Sequence, residues 1–201
     1  MTDLYELTFE HDNPCNTTIF DGETGKILYQ VVTEHGKNTV TRVDKADGET
    51  IASWVWRDIL PDIITIGNGK PLSVGSWLKK SLVPLKNTVA LKDHRGRSLT
   101  WKGNGPGLSL EAKFQLFLDE DSTRPVARFC KSRPVWNGNQ YTTPTTTEPA
   151  RLLMDNRGLE IQEIAVVSFL VLEKSRRAGE KSTLNRANNN TWMLQSALPV
   201  S

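Results

Sequence analysis

From Leu4 onward, short runs of valine, isoleucine, threonine and aromatic residues alternate with polar positions, and Gly, Asn and Asp punctuate them. This period of two, broken by turn chemistry, is the pattern of an antiparallel all-β domain. It predicts strands over Tyr5–Glu10, Thr17–Phe20, Ile27–Glu34, Thr39–Asp44, Thr50–Arg57, Ile63–Ile66, Val89–Lys92, Leu99–Lys102, Lys113–Leu118, Val126–Cys130 and Leu152–Met154. Turns are expected at Asp21–Gly25, Ala46–Glu49, His94–Arg97 and Asn156–Gly158. Leu72–Lys80 fits a short helix, and Gly103–Leu108 (GNGPGL) is too rich in Gly and Pro to be regular.

One stretch has a different period. Ile164–Leu172 is apolar except for Ser168, so a helix there is apolar on every side and must be enclosed. Such a run rises only about 14 Å, roughly half the ~30 Å of a bilayer's hydrocarbon, so it is too short to span one. The remaining solution is a sheet closed on itself around the helix, and about eleven strands are available to build it. A helix over Glu163–Ser175 is predicted, with Ile164, Val167, Phe169, Leu170 and Val171 buried. Glu163 near its start and Lys174, Arg176 and Arg177 near its end suit the helix dipole.

Six segments carry a resemblance: NPCNTTIFDGETGKILYQVVT (Asn13–Thr33), ETIASWVWRD (Glu49–Asp58), DIITIGNGKPLSVGSWLKK (Asp62–Lys80), SLTWKGNG (Ser98–Gly105), VARF (Val126–Phe129) and LEIQEIAVVSFLVLEKSRR (Leu159–Arg177). In them the chain resembles an uncharacterised basidiomycete fungal family of unknown function in the Tubby C-terminal-like superfamily. That superfamily also holds phospholipid scramblases and plant LURP-one-related proteins. The resemblance implies a closed antiparallel β-barrel around a central hydrophobic C-terminal helix. Tubby proteins bind phosphoinositides, so it also brings an anionic lipid into view as a ligand, although none of the superfamily's functional residues maps onto a position here.

Length and composition fit one core. With 201 residues and 37% hydrophobic content, a single domain over 1–178 is expected, carrying a Thr/Pro-rich loop at 137–149 and followed by a polar, flexible tail at 179–201. A net charge of +2 is far below the basic excess of a dedicated nucleic-acid binder. No apolar leader opens the sequence and no span of ~18 apolar residues occurs, so a cytoplasmic protein, at most peripheral at membranes, is expected. Cys15 and Cys130 have no metal or redox spacing; Cys130 reads as core filling and Cys15, after Pro14, as the more exposed thiol.

Candidate chemistry is sparse. The basic residues Lys79, Lys80, Arg95, Arg97 and Lys102 form the candidate site for an anionic headgroup, with Arg128, Lys131 and Arg133 as a further basic group. Asp119, Glu120 and Asp121 offer carboxylates to Ca²⁺ or Mg²⁺, set against the reading as a solvated hairpin tip. Trp54 and Trp56 share a strand face and are expected to pack on the helix, and His11, His35 and His94 are isolated from one another. The reading favoured is a non-catalytic binding or interaction module that meets anionic lipid headgroups or a protein partner. The alternative is an enzyme acting on a small or apolar substrate at the barrel rim, with Asp119 and Asp121 or Asp58 and Asp62 supplying acid/base or metal chemistry. Membrane contact is expected through basic loops, without release of the helix from its core.

Overall fold

In a computed structural model, residues 4–83, 87–103, 114–136 and 146–196 are described, with side chains to residue 182. The fold is mainly β, an antiparallel sheet with a C-terminal helix. In chain order the strands are β1 (Tyr5–Phe9), β2 (Thr17–Asp21), β3 (Ile27–His35), β4 (Thr39–Lys45), β5 (Thr50–Val55), β6 (Ile63–Ile66), β7 (Leu72–Ser73), β8 (Lys79–Lys80), β9 (Thr88–Lys92) and β10 (Ser98–Lys102). There follow β11 (Gln115–Leu118), β12 (Ala127–Cys130), β13 (Arg133–Val135), β14 (Thr146–Glu148) and β15 (Arg151–Met154). The helices are α1 (Val74–Trp77), α2 (Asn156–Leu159) and α3 (Gln162–Ser196).

Thirteen strands form one sheet in the order β7-β6-β5-β4-β3-β2-β1-β15-β12-β11-β10-β9-β8. Each of the eleven expected strands appears, with ends that differ by at most two residues. Leu72–Lys80 divides into β7, the short helix α1 and β8. The pair β13–β14 forms a separate hairpin, so Thr146–Glu148, expected within a loop, is extended and paired, while 137–145 lie outside the described residues. Two glycines serve the turns as the sequence suggests: Gly48 and Gly96 adopt φ of 89° and 80°, a region that L side chains disfavour.

Helix α3 is enclosed. Ala165 through Glu173 are all buried, and the core around them draws on strands from both halves of the sheet. Phe169 meets the rings of Phe9, Trp101, Phe114 and Phe129 at centroid distances of 4.4–6.3 Å. Ser168, the one polar residue of the apolar run, accepts a 2.9 Å hydrogen bond from Trp101 Nε1 and donates to the Ala165 carbonyl, so it is satisfied within the core. Of the five helix residues expected inside, Val167, Phe169, Leu170 and Val171 are buried and Ile164 is half-buried. Trp54 is fully buried, and Trp56 is half-buried with its Nε1 donating to Thr41.

Two expectations change. Hydrogen bonding leaves the sheet open at β7 and β8, in place of a fully closed ladder. Strand directions alternate along the order, so β7 and β8 run the same way, and α1 with Leu78 carries the chain directly from one edge to the other. The helix also runs well past Ser175 to Ser196, into the stretch read as a flexible tail. Pairs three and four residues apart, Glu173–Arg176, Glu173–Arg177 and Arg176–Glu180, support the emerging polar turns, where no apolar stripe is needed. Lys174, Arg176 and Arg177 therefore do not mark a helix end, and their carboxylate partners explain them better than the dipole.

Candidate functional site

Strand direction sorts the connections to two ends. At one end lie the turns after β2, β4, β6, β9 and β11, together with α2; Lys45 there pairs with Glu163 at the start of α3. At the other end lie residues 10–16, 36–38 and 56–62, α1, and the chain leaving β8 at residues 81–83. Helix α3 emerges here: Lys174 pairs with Asp62 and stands 3.9 Å over the Trp56 ring, and Arg177 pairs with Asp12. Glu173, buried, takes both Arg176 and Arg177 at 2.7 Å. Burial works to raise the Asp12 carboxyl, but the Ser132 hydroxyl and Arg177 outweigh it and hold it below the ordinary value. This network clamps the helix in the mouth of the sheet. A cavity of about 10 Å³ beside it, lined by Phe9, Phe169, Glu173 and Arg177 among others, is too small for an organic ligand.

Cys15 is packed into the same end. Its thiol is buried rather than exposed, and burial pushes it up to about 11, because residues 11–16 fold back with Thr33 donating to the Cys15 carbonyl at 2.7 Å. Cys130, expected in the core, is half-buried.

The outward face of β8–β11 carries an open site. Register aligns Lys79, Ala90, Thr100 and Phe117 in one row across the strands. The next row runs Thr88, Lys102, Gln115 and Arg128, with Ser81 donating its N–H to the Thr88 carbonyl at the edge. Between these rows is a depression of about 460 Å³, lined by Lys79, Lys102, Thr88, Thr100, Phe117 and Asp119 together with two serines and Ala90. Lys102 Nζ lies 3.9 Å from the Phe117 ring centroid and donates to the Ser122 carbonyl at 3.1 Å. Asp119 accepts from the Thr100 hydroxyl at 2.7 Å. Two ammonium groups and several hydroxyls thus face one concavity over an aromatic floor.

The five basic residues expected to act together do not all meet. Lys79 and Lys102 share the depression, whereas Lys80 pairs with Val89, whose side chain is buried, and so turns toward the opposite face at the edge. Arg95 and Arg97 sit in the β9–β10 turn, about 16 Å from Lys102 at ~3.3 Å per strand residue. Arg97 is occupied by Asp93 at 2.7 Å and Glu160 at 2.9 Å. These residues are close in sequence, but strand alternation and turn position separate them.

The acidic tip is also divided. Asp119 turns to Thr100, while Asp121 accepts from the Thr123 hydroxyl at 2.6 Å and pairs with Arg157 at 2.9 Å. Among the described residues no three of His, Cys, Asp or Glu are grouped to hold a metal ion, and Asp119 and Asp121 of the acidic tip turn to different partners. The Thr123 hydroxyl first, and then Arg157, lower the Asp121 carboxyl from 3.8 to about 2. A depressed carboxylate contributes stability above its ordinary value and loses it as pH falls through the folded one, here from about 4 toward 2. An NMR titration should place the Asp121 midpoint near 2, and Thr123→Val should move it upward; a midpoint near 4 in the unaltered protein would contradict these contacts.

Among the described residues no helix is long and apolar enough to cross a membrane. No curated protein and no solved structure matches the chain. Residues 12–178, most of its length, match a family of unknown function, and the chain therefore belongs to that family, DUF6593.

Proposed function

We propose that the protein is a non-catalytic binding module that takes a phosphate-bearing lipid headgroup from an anionic membrane surface into the outward depression of β8–β11. The observation that carries this reading is the convergence of Lys79 and Lys102 with the hydroxyl residues Thr88 and Thr100 on one 460 Å³ concavity. The ammonium groups and the Thr88 hydroxyl are donors suited to phosphate oxygens, while the Thr100 hydroxyl, given to Asp119, shapes the wall of the depression. Arg128, two strands from Lys102 in the same row, adds to the local positive field.

The fold is read in the same way as a Tubby-like barrel closed by packing across α1. Two observations support this: the helix is buried on every side, and the two sheet edges are consecutive in the chain. The DUF6593 family then sits in the superfamily to which phosphoinositide binders belong, with the basidiomycete resemblance as its expected source. A cytoplasmic protein recruited to membranes follows from this reading.

Co-sedimentation with neutral and phosphoinositide-containing vesicles tests it. Binding to the anionic vesicles alone is expected, weakening steeply as salt screens exposed charges over ~10 Å at 0.1 M. At about 1 kcal/mol per lysine near the surface, Lys79→Ala with Lys102→Ala should weaken binding roughly 30-fold. Arg95→Ala, at the far end of the strands, should leave it unchanged. Equal affinity of the double variant and the unaltered protein would discard the site.

A further inference from the structure

We infer that two apolar loop tips at the helix-exit end insert into the membrane leaflet and give the module a fixed pose on it. The first tip is Ile59 and Leu60, between β5 and β6, with relative exposures of 96% and 60%. The second is Leu82 and Val83, leaving β8, at 98% and 59%. Four large apolar side chains exposed in two neighbouring loops are not explained by scattered surface hydrophobicity. Both loops lie at the same end of the sheet and are joined through α1: the Val74 N–H donates to the Asp62 carbonyl at 2.8 Å, and the chain passes from α1 through β8 to Leu82.

The charges beside the tips indicate a leaflet as their occupant. Arg57 precedes the first tip and Lys79 and Lys80 precede the second, and all three are exposed. Asp58 is the exposed acid among them, since Asp62 is paired with Lys174. Apolar side chains projecting beyond a cationic collar match an anionic bilayer, with its hydrocarbon beneath a layer of phosphates. Lys80, which turns away from the depression, is thereby placed in the collar. The helix stays in its core, and only side chains already in solvent enter the lipid. The inference rests on the headgroup reading and adds to it a contact that salt does not screen.

The test compares the unaltered protein with two double variants, Ile59→Ser with Leu82→Ser and Lys79→Ala with Lys102→Ala, on phosphatidylserine and phosphoinositide vesicles at low and high salt. Surface pressure is recorded on monolayers of the same lipids. The unaltered protein should raise the pressure and keep part of its vesicle binding at high salt. Burying one such side chain is worth about tenfold in affinity, so the serine variant should bind about a hundredfold more weakly and raise no pressure, with an unchanged melting temperature. The alanine variant should keep the pressure rise once bound at higher concentration. Full release of the unaltered protein by salt with no pressure rise, or serine-variant binding equal to it, overturns insertion and leaves the headgroup site standing. Loss of binding in the serine variant alone supports insertion and discards the headgroup site. A dimer that the serine pair dissociates, with no vesicle affinity, assigns the tips to protein contact and overturns the inference.

Discussion

Replacing Val167 with aspartate is expected to leave the chain unfolded or insoluble. Val167 is 1% exposed in the middle of the apolar run of α3, with Val166, Ser168 and Leu170 equally enclosed around it. An aspartate there forfeits roughly 1.5–3 kcal/mol of apolar burial. It also places a carboxylate where neither water nor a cation reaches it, at an effective cost of several kcal/mol more. Together these approach the whole ~5–15 kcal/mol by which a domain is stable. Val167→Ala, which removes volume but no polar satisfaction, should fold with a loss of about 2 kcal/mol. Circular dichroism and thermal melts of the two variants check this. An aspartate variant with an unaltered melt would show that the helix is not enclosed.

This consequence is legible in the sequence, because an apolar run without a polar face has few soluble solutions. The eleven strands were legible for a related reason: a half-buried strand writes its two faces into alternate residues. The partners were not. Nothing in the local sequence announces that Trp101 donates to Ser168, 67 residues later, or that Glu173 is buried between two arginines. The short strand Thr146–Glu148 was hidden by its Thr/Pro composition, since it packs no apolar face and is held by pairing with Arg133–Val135, including Arg133 on Glu148 at 2.7 Å. The polar continuation of α3 was hidden too, because a helix needs an apolar stripe only where something packs against it.

The candidate site shows the same division. Lys79, Lys80 and Lys102 were visible as basic residues, but which face each occupies depends on register with β9, a non-local property that a shift of one residue would invert. The apolar tips carry a local signal: Asp58-Ile59-Leu60-Pro61 and Ser81-Leu82-Val83 place large aliphatic residues beside turn formers and outside the alternating runs.

Gly158 is the second position where a small change should have a large effect, and the reason differs from that of the other turn glycines. Asn156-Arg157-Gly158 looks like ordinary turn chemistry, which suggests a left-handed backbone; Gly158 is instead a residue of α2 and is absent from the positive-φ glycines. Its N–H satisfies the Asp155 side chain that caps α2, at 2.9 Å. A Cβ at this position would lie 2.2 Å from the Val126 carbonyl oxygen and 3.1 Å from Met154 Cβ. The nearest obstacle is backbone, just before β12, and the same oxygen accepts from the Asp155 N–H at 3.1 Å, so the carbonyl cannot swing aside without breaking the link between β12 and the turn into α3. Overpacking against side chains costs about 1–3 kcal/mol, and an overlap with a hydrogen-bonded main-chain oxygen lies at or above the top of that range. Gly158→Ala should therefore lower the melting temperature by about 6–12 °C, at 2–4 °C per kcal/mol for a domain of this size. Gly48→Ala supplies the contrast: nothing lies within 4 Å of its Cβ, and its penalty comes from a positive φ alone, about 1–2 kcal/mol. A Gly158→Ala melt no lower than that of Gly48→Ala would mean that α2 does not press against Val126, and with it the seating of α3 in the sheet would have to be drawn differently.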